Sequence, residues 1–202
     1  MAEPEDPPAF MSALVTEHFA LQSAASTTVS ESSSRVTIYL SSLSSALVAI
    51  GFASSAHRAL AALAFTVLPT VFVLGWFTIV RLVETSVTNL TSLRRIEQIR
   101  RYYASLGPRG PGYFPPDVPS GQHGVHYGRW SYLYTMASMV VVVNAVLGGA
   151  IIALVCALAL DLALPVATVV GLAGGLGLLG LGLEFERRRV GPAVARRDQG
   201  QN

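Results

Sequence analysis

Apolar residues run through this chain in four long stretches that contain no Asp, Glu, Lys, Arg or His: residues 36–56 (21 residues), 59–80 (22), 132–160 (29) and 162–183 (22). A helix rises about 1.5 Å per residue, so roughly 20 residues cross a hydrocarbon core of about 30 Å. Each stretch passes that length test. The third has length to spare for tilt, or for a turn or two in water. Helices are the form such segments take, because backbone groups in lipid must pair within their own segment. Barrel strands need alternating patterns of about ten residues, and these stretches do not alternate. The first is the most polar, with Ser41, Ser42, Ser44 and Ser45 near its start, but a helical serine can bond its hydroxyl back to the backbone. The predicted fold is an all-α integral membrane protein with four transmembrane helices.

The links between stretches predict how they pair. Ser54 to Arg58 joins the first two, and Asp161 alone parts the last two before Pro165. Links this tight imply two antiparallel helical hairpins, joined by a 51-residue segment, 81–131. The charges then predict the orientation. Arg35, the seven Arg residues of 81–131 and the five after residue 183 fall on one side, 13 in all, and Arg58 alone falls on the other. Cytoplasmic flanks carry the excess of positive charge, so both termini are expected inside a bacterial cytoplasmic membrane. The opening MAEPEDPP is acidic and Pro-rich, unlike a cleavable signal peptide.

Outside the spans, residues 1–8 read as disordered. A lead-in helix is expected over 9–35, with Phe10, Leu14 and Leu21 on one face and Glu17 near its boundary. The hydroxyl-rich run 23–34 is a poor intrinsic helix former. It reads either as a helix packed by small side chains or as a phosphorylated, hinge-like entry to the membrane. The second span is expected to continue as a helix over 81–106, where Val87, Leu90, Leu93, Ile96, Ile99 and Tyr102 recur every third residue. At 100° per residue such a row winds around the helix, so it should meet more than one neighbour. Glu97 can pair with Arg101 one turn on. Residues 107–131 read as a loop, since 107–128 hold five prolines and six glycines. Within it Asp117, His123 and His126 read as solvated loop residues, or as candidate ligands for a metal such as zinc if a further ligand came from elsewhere. Tyr113 and Phe114 are expected to anchor the loop. The tail, 184–202, opens EFERRR, and Arg187, Arg188 and Arg189 are candidates for anionic lipid headgroups at about 1 kcal/mol each.

Composition narrows the function. Among 202 residues 51% are hydrophobic and 13% charged, against about 25% in soluble domains; the mean hydropathy is +0.50. One cysteine and a net charge of +2 argue against a disulfide scaffold and against a nucleic-acid partner. Proton relays, ion-coupled transporters and intramembrane hydrolases usually need an ionisable group at depth, and none is supplied. We therefore expect no enzyme activity and no cofactor; GLAGGLG, 171–177, lies within a span rather than after a strand, so it is no nucleotide fingerprint. Asn144, midway along the third span, is expected either to bond across helices or to line a pore in an oligomer. Pro69 is a hinge or a static bend in the second span. Gly171 and Gly175, and Ser41 and Ser45, are spaced for close helix packing, within one chain or between copies. Cys156 reads as a small core residue.

A cytoplasmic N-terminal helix, a tight two-span hairpin and a helical extension ending in an Arg-rich turn, together over about 9–105, resemble the small two- and four-span membrane effectors of bacterial defence loci, the SLATT-type proteins. That resemblance implies membrane disruption or pore formation on a signal from a nucleotide-sensing partner. The second hairpin departs from the two-span form. Three functions are thus expected, in order: an oligomeric membrane effector or pore controlled through its cytoplasmic helices, acting as a homo-oligomer or with a membrane or cytoplasmic protein partner; a structural or accessory subunit of a larger complex; and a small-solute transporter.

Overall fold

The computed structural model describes residues 8–55, 57–114 and 136–198, and every described element is helical. They are α1 (Pro8–Phe52), a 3-10 turn (Ala53–Ser55), α2 (His57–Ser105), the short α3 (Gly110–Tyr113), α4 (Met136–Leu158) and α5 (Leu164–Asp198). Four of them, α1, α2, α4 and α5, are long and apolar enough to cross a membrane, which is compatible with a multi-pass membrane protein.

The helices outrun the apolar stretches within them. At 45, 49 and 35 residues, α1, α2 and α5 extend about 67, 73 and 52 Å, well past a hydrocarbon core of about 30 Å. Pro8 opens α1 at the position where a missing N–H is harmless, and no proline follows before Phe52. Within its hydroxyl-rich run the side chains bond back one turn: Thr27 donates to the Ser23 carbonyl at 2.9 Å and Ser32 to that of Thr28 at 2.9 Å. Pro69 lies within α2, where Thr66 and Thr70 make the same back-bonds on either side of it.

Contacts between α1 and α2 run in opposite directions along the two helices. Phe10 stacks edge-on against Tyr102, Thr28 donates to Asn89 at 3.4 Å, and Tyr39 lies against Gly75. The same reversal relates α4 and α5: Val141 lies against Gly182, and Gly149 against Gly175 and Gly171. Asp161 turns the chain between them at φ 52°, a left-handed conformation that Asp tolerates better than most residues.

Two apolar clusters result. The larger draws Tyr39 and Ala46 from α1, Leu68, Val71, Ile79, Leu82 and Val83 from α2, Val140 and Val141 from α4 and Val190 from α5. The smaller joins only α1 and α2: Leu21, Ile96 and Ile99 are buried, with Leu14, Leu93 and Tyr103 against them. The winding row on α2 packs on the two clusters in turn. Val87 and Leu90 pack on the larger cluster and Leu93, Ile96 and Ile99 on the smaller. Glu97 pairs with Arg101 at 3.3 Å. The result is a four-helix body continued by a two-helix stalk. On the body's outside, Leu47, Val48 and Phe52 of α1 and Leu172, Leu176 and Leu181 of α5 are exposed, Phe52 at 84%.

Candidate functional site

Two buried polar side chains inside the apolar part of the body, Asn144 and Tyr39, meet at a node where three helices converge. Asn144 of α4 is 2% exposed and Tyr39 of α1 fully buried, and the Tyr39 hydroxyl donates to Asn144 Oδ1 at 3.2 Å. Gly75 of α2 completes it. A Cβ there would overlap Asn144 Oδ1 and come within 2.8 Å of Tyr39 Cε2. Only a residue without a side chain lets α2 close over the pair. An acceptor as polar as an amide oxygen is costly in hydrocarbon unless bonded, so the tyrosine hydroxyl ties α1 to α4 through the one bond that satisfies it.

The glycines of α5 act at a second crossing. Gly171 and Gly175 face Gly149 of α4: a Cβ on Gly149 would lie 2.8 Å from the Gly171 carbonyl oxygen and 3.2 Å from Gly175 Cα. Backbone meets backbone here. Cys156 is buried in α4 as a free thiol. Ser41 and Ser45, by contrast, are exposed on the outer side of α1, and within this chain they pack against nothing deep.

At the start of the tail the three arginines have neighbours of their own. Arg188 and Arg187 both pair with Glu184, at 2.7 and 2.9 Å. The hydrogen bond from Arg188, reinforced by Arg187, holds the Glu184 carboxyl below its usual range. Arg189 sits over the Phe185 ring at 5.9 Å. All three remain exposed, and Glu184 offsets part of their charge.

Glu186 was not among the residues singled out from sequence. It is 1% exposed, because Gly182, Glu186 and Val190 recur every fourth residue along the buried face of α5. That spacing is readable, but the adjoining charges of EFERRR obscure which member faces inward. Asp117, His123 and His126 lie outside the described residues; among those described, no three of His, Cys, Asp and Glu come together as a metal site. No protein-family model, curated protein or solved structure matches the chain.

Proposed function

We propose that the chain is an oligomeric effector or pore of the bacterial cytoplasmic membrane, without catalytic activity, controlled through its cytoplasmic helices. In this reading α1 with α2, and α4 with α5, are two transmembrane hairpins, and both termini and the stalk lie in the cytoplasm. The observation that carries it is the continuity of α1 and α2. Each runs without a break from the stalk into the apolar body, and apolar clusters hold the pair together in both places. A displacement of the stalk by a ligand or partner therefore reaches the spans along two packed rods, the kind of discrete rigid coupling that transmits a signal.

One observation favours a second reading, a structural or accessory subunit. The Tyr39–Asn144 pair is buried and internally bonded, so the polar groups at depth fill the space between helices of one chain. Native mass spectrometry of the protein in lipid nanodiscs tests between the two. Four helices from one chain cannot enclose a water-filled path of useful width. A closed ring of several chains, with ion flux through vesicles that carry it, is the expected result; a monomer overturns the pore and leaves the accessory subunit.

A further inference from the structure

Four cations stand where the apolar body meets the charged parts of α2 and α5: Arg81, Arg187, Arg188 and Arg189. Three of them share carboxylates of their own helix. Arg81 pairs with Glu84 at 3.1 Å, and Arg187 and Arg188 divide Glu184 between them. Arg189 differs. Among the described residues no carboxylate pairs with it, and its guanidinium lies over the Phe185 ring, 5.9 Å from the centroid.

The ring beneath it is held in place. Phe185 is half-buried, packs on the larger apolar cluster and meets Trp76 of α2 with ring centroids 6.2 Å apart. Trp76 is itself exposed, as are Val73 one turn before it and Leu181 one turn before Phe185. Both helices run opposite to α4, Phe72 and Gly75 lying against Gly148 and Asn144 and Gly182 against Val141, so they run parallel to each other. The outer seam between α2 and α5 therefore passes from aliphatic side chains, through two neighbouring rings, to one cation. An amphiphile with an anionic head matches that order. An Arg fork bonds a phosphate through two N–H groups at once, and a ring beneath the guanidinium fixes its position while leaving those edges free. Trp76 lies five residues, about 8 Å, before Arg81, where the second charge-free stretch has just ended. That is the depth at which tryptophan sits with its body in hydrocarbon and its N–H toward the headgroups.

We propose that the seam between Trp76 and Arg189 is a binding site for an anionic phospholipid, its phosphate on Arg189 and an acyl chain along Phe185, Trp76 and Val73. The site rests on the transmembrane reading of α2 and α5 and not on the pore. It also separates three arginines that adjoin in sequence: Arg189 holds the lipid, and Arg187 and Arg188 do not.

Tryptophan quenching by brominated lipids tests it. In the full chain carrying Trp130→Phe, Trp76 is the one tryptophan left of two. In vesicles of phosphatidylcholine its emission is quenched by whichever brominated lipid lies against it. At equal mole fraction, brominated phosphatidylglycerol should occupy the site about fivefold more strongly than brominated phosphatidylcholine, the worth of one basic residue at an anionic surface. Arg189→Gln, at an exposed position, should bring that ratio to about one, and Arg187→Gln should leave it unchanged. Equal quenching by the two lipids without either Arg substitution, or an equal loss from both substitutions, overturns the proposal. Quenching by neither lipid would overturn the spans themselves, and the site with them. Native mass spectrometry of the unsubstituted chain reads the same preference as phosphatidylglycerol retained after phosphatidylcholine has left; equal loss of the two overturns the site as well.

Discussion

Gly149→Ala isolates the closest backbone approach in the body. The added Cβ falls 2.8 Å from the Gly171 carbonyl oxygen, 0.6 Å inside the 3.4 Å at which ordinary contact begins, and 3.2 Å from Gly175 Cα. Neither neighbour is the end of a flexible side chain, so α4 and α5 must separate. A gap of 0.5–1 Å already forfeits about a quarter to a half of each dispersion contact along a crossing, and overpacking of this kind costs about 1–3 kcal/mol. Gly177→Ala, on α5 but exposed and away from the crossing, with nothing within 4 Å of its Cβ, should instead gain up to about 1 kcal/mol from helix propensity. The two substitutions add the same methyl group and should move stability in opposite directions. Unfolding by SDS titration from mixed micelles, followed by circular dichroism, measures both. The Gly149→Ala, Gly171→Ala double variant should lose less than the two singles together, because one separation relieves both clashes. Equal midpoints for Gly149→Ala and Gly177→Ala would refute the close crossing.

Further outcomes follow from other parts of the structure. Tyr39→Phe leaves Asn144 Oδ1 without its donor and should cost about 0.5–1.7 kcal/mol in the same titration; a double-variant cycle with Asn144→Ala should return most of that as coupling, and zero coupling would remove the bond. Ile96→Ala, in the stalk cluster where Ile96 is 3% exposed, should cost about 2–4 kcal/mol of stalk stability, read as faster protease cleavage within 9–35 while the spans stay protected; cleavage at the unaltered rate would argue against the cluster. Reporter fusions near residue 110 should signal from the cytoplasm, and those near residue 56 from the outside. A periplasmic signal near residue 110 would overturn the orientation.

The parts of this fold legible from sequence were those written in local patterns. Charge-free windows give helices that can cross a membrane because length and the absence of ionisable groups are properties of a segment. The three-residue row from Val87 to Tyr102 is likewise a property of one segment, and it packs on both clusters. The node around Asn144 was half legible. The amide stands out in an apolar run, but its partner is one tyrosine among seven, placed by the register of two helices more than a hundred positions apart. Gly75 carried no signal at all, being a single glycine between Leu74 and Trp76. Glu186 was hidden by its company, since a run of charges obscures which member faces inward. The contact of the His18 and Tyr103 rings at the tip of the stalk joins residues about 85 positions apart in sequence, which no pattern within either segment records.

The unbroken course of α1 and α2 sets a rule of phase. Each residue advances a helix by about 100°, so deleting one residue between Leu21 and Tyr39 would swing the N-terminal end of α1 by that angle relative to its transmembrane face. Leu21 would leave Ile96 and Ile99, and the tip would turn away from Tyr103. Insertions or deletions in the stalk should be tolerated only near whole turns, in steps of about seven residues, and only when α1 and α2 change together. The length of the stalk is then free to vary in coarse increments, while its angular alignment with the spans is fixed.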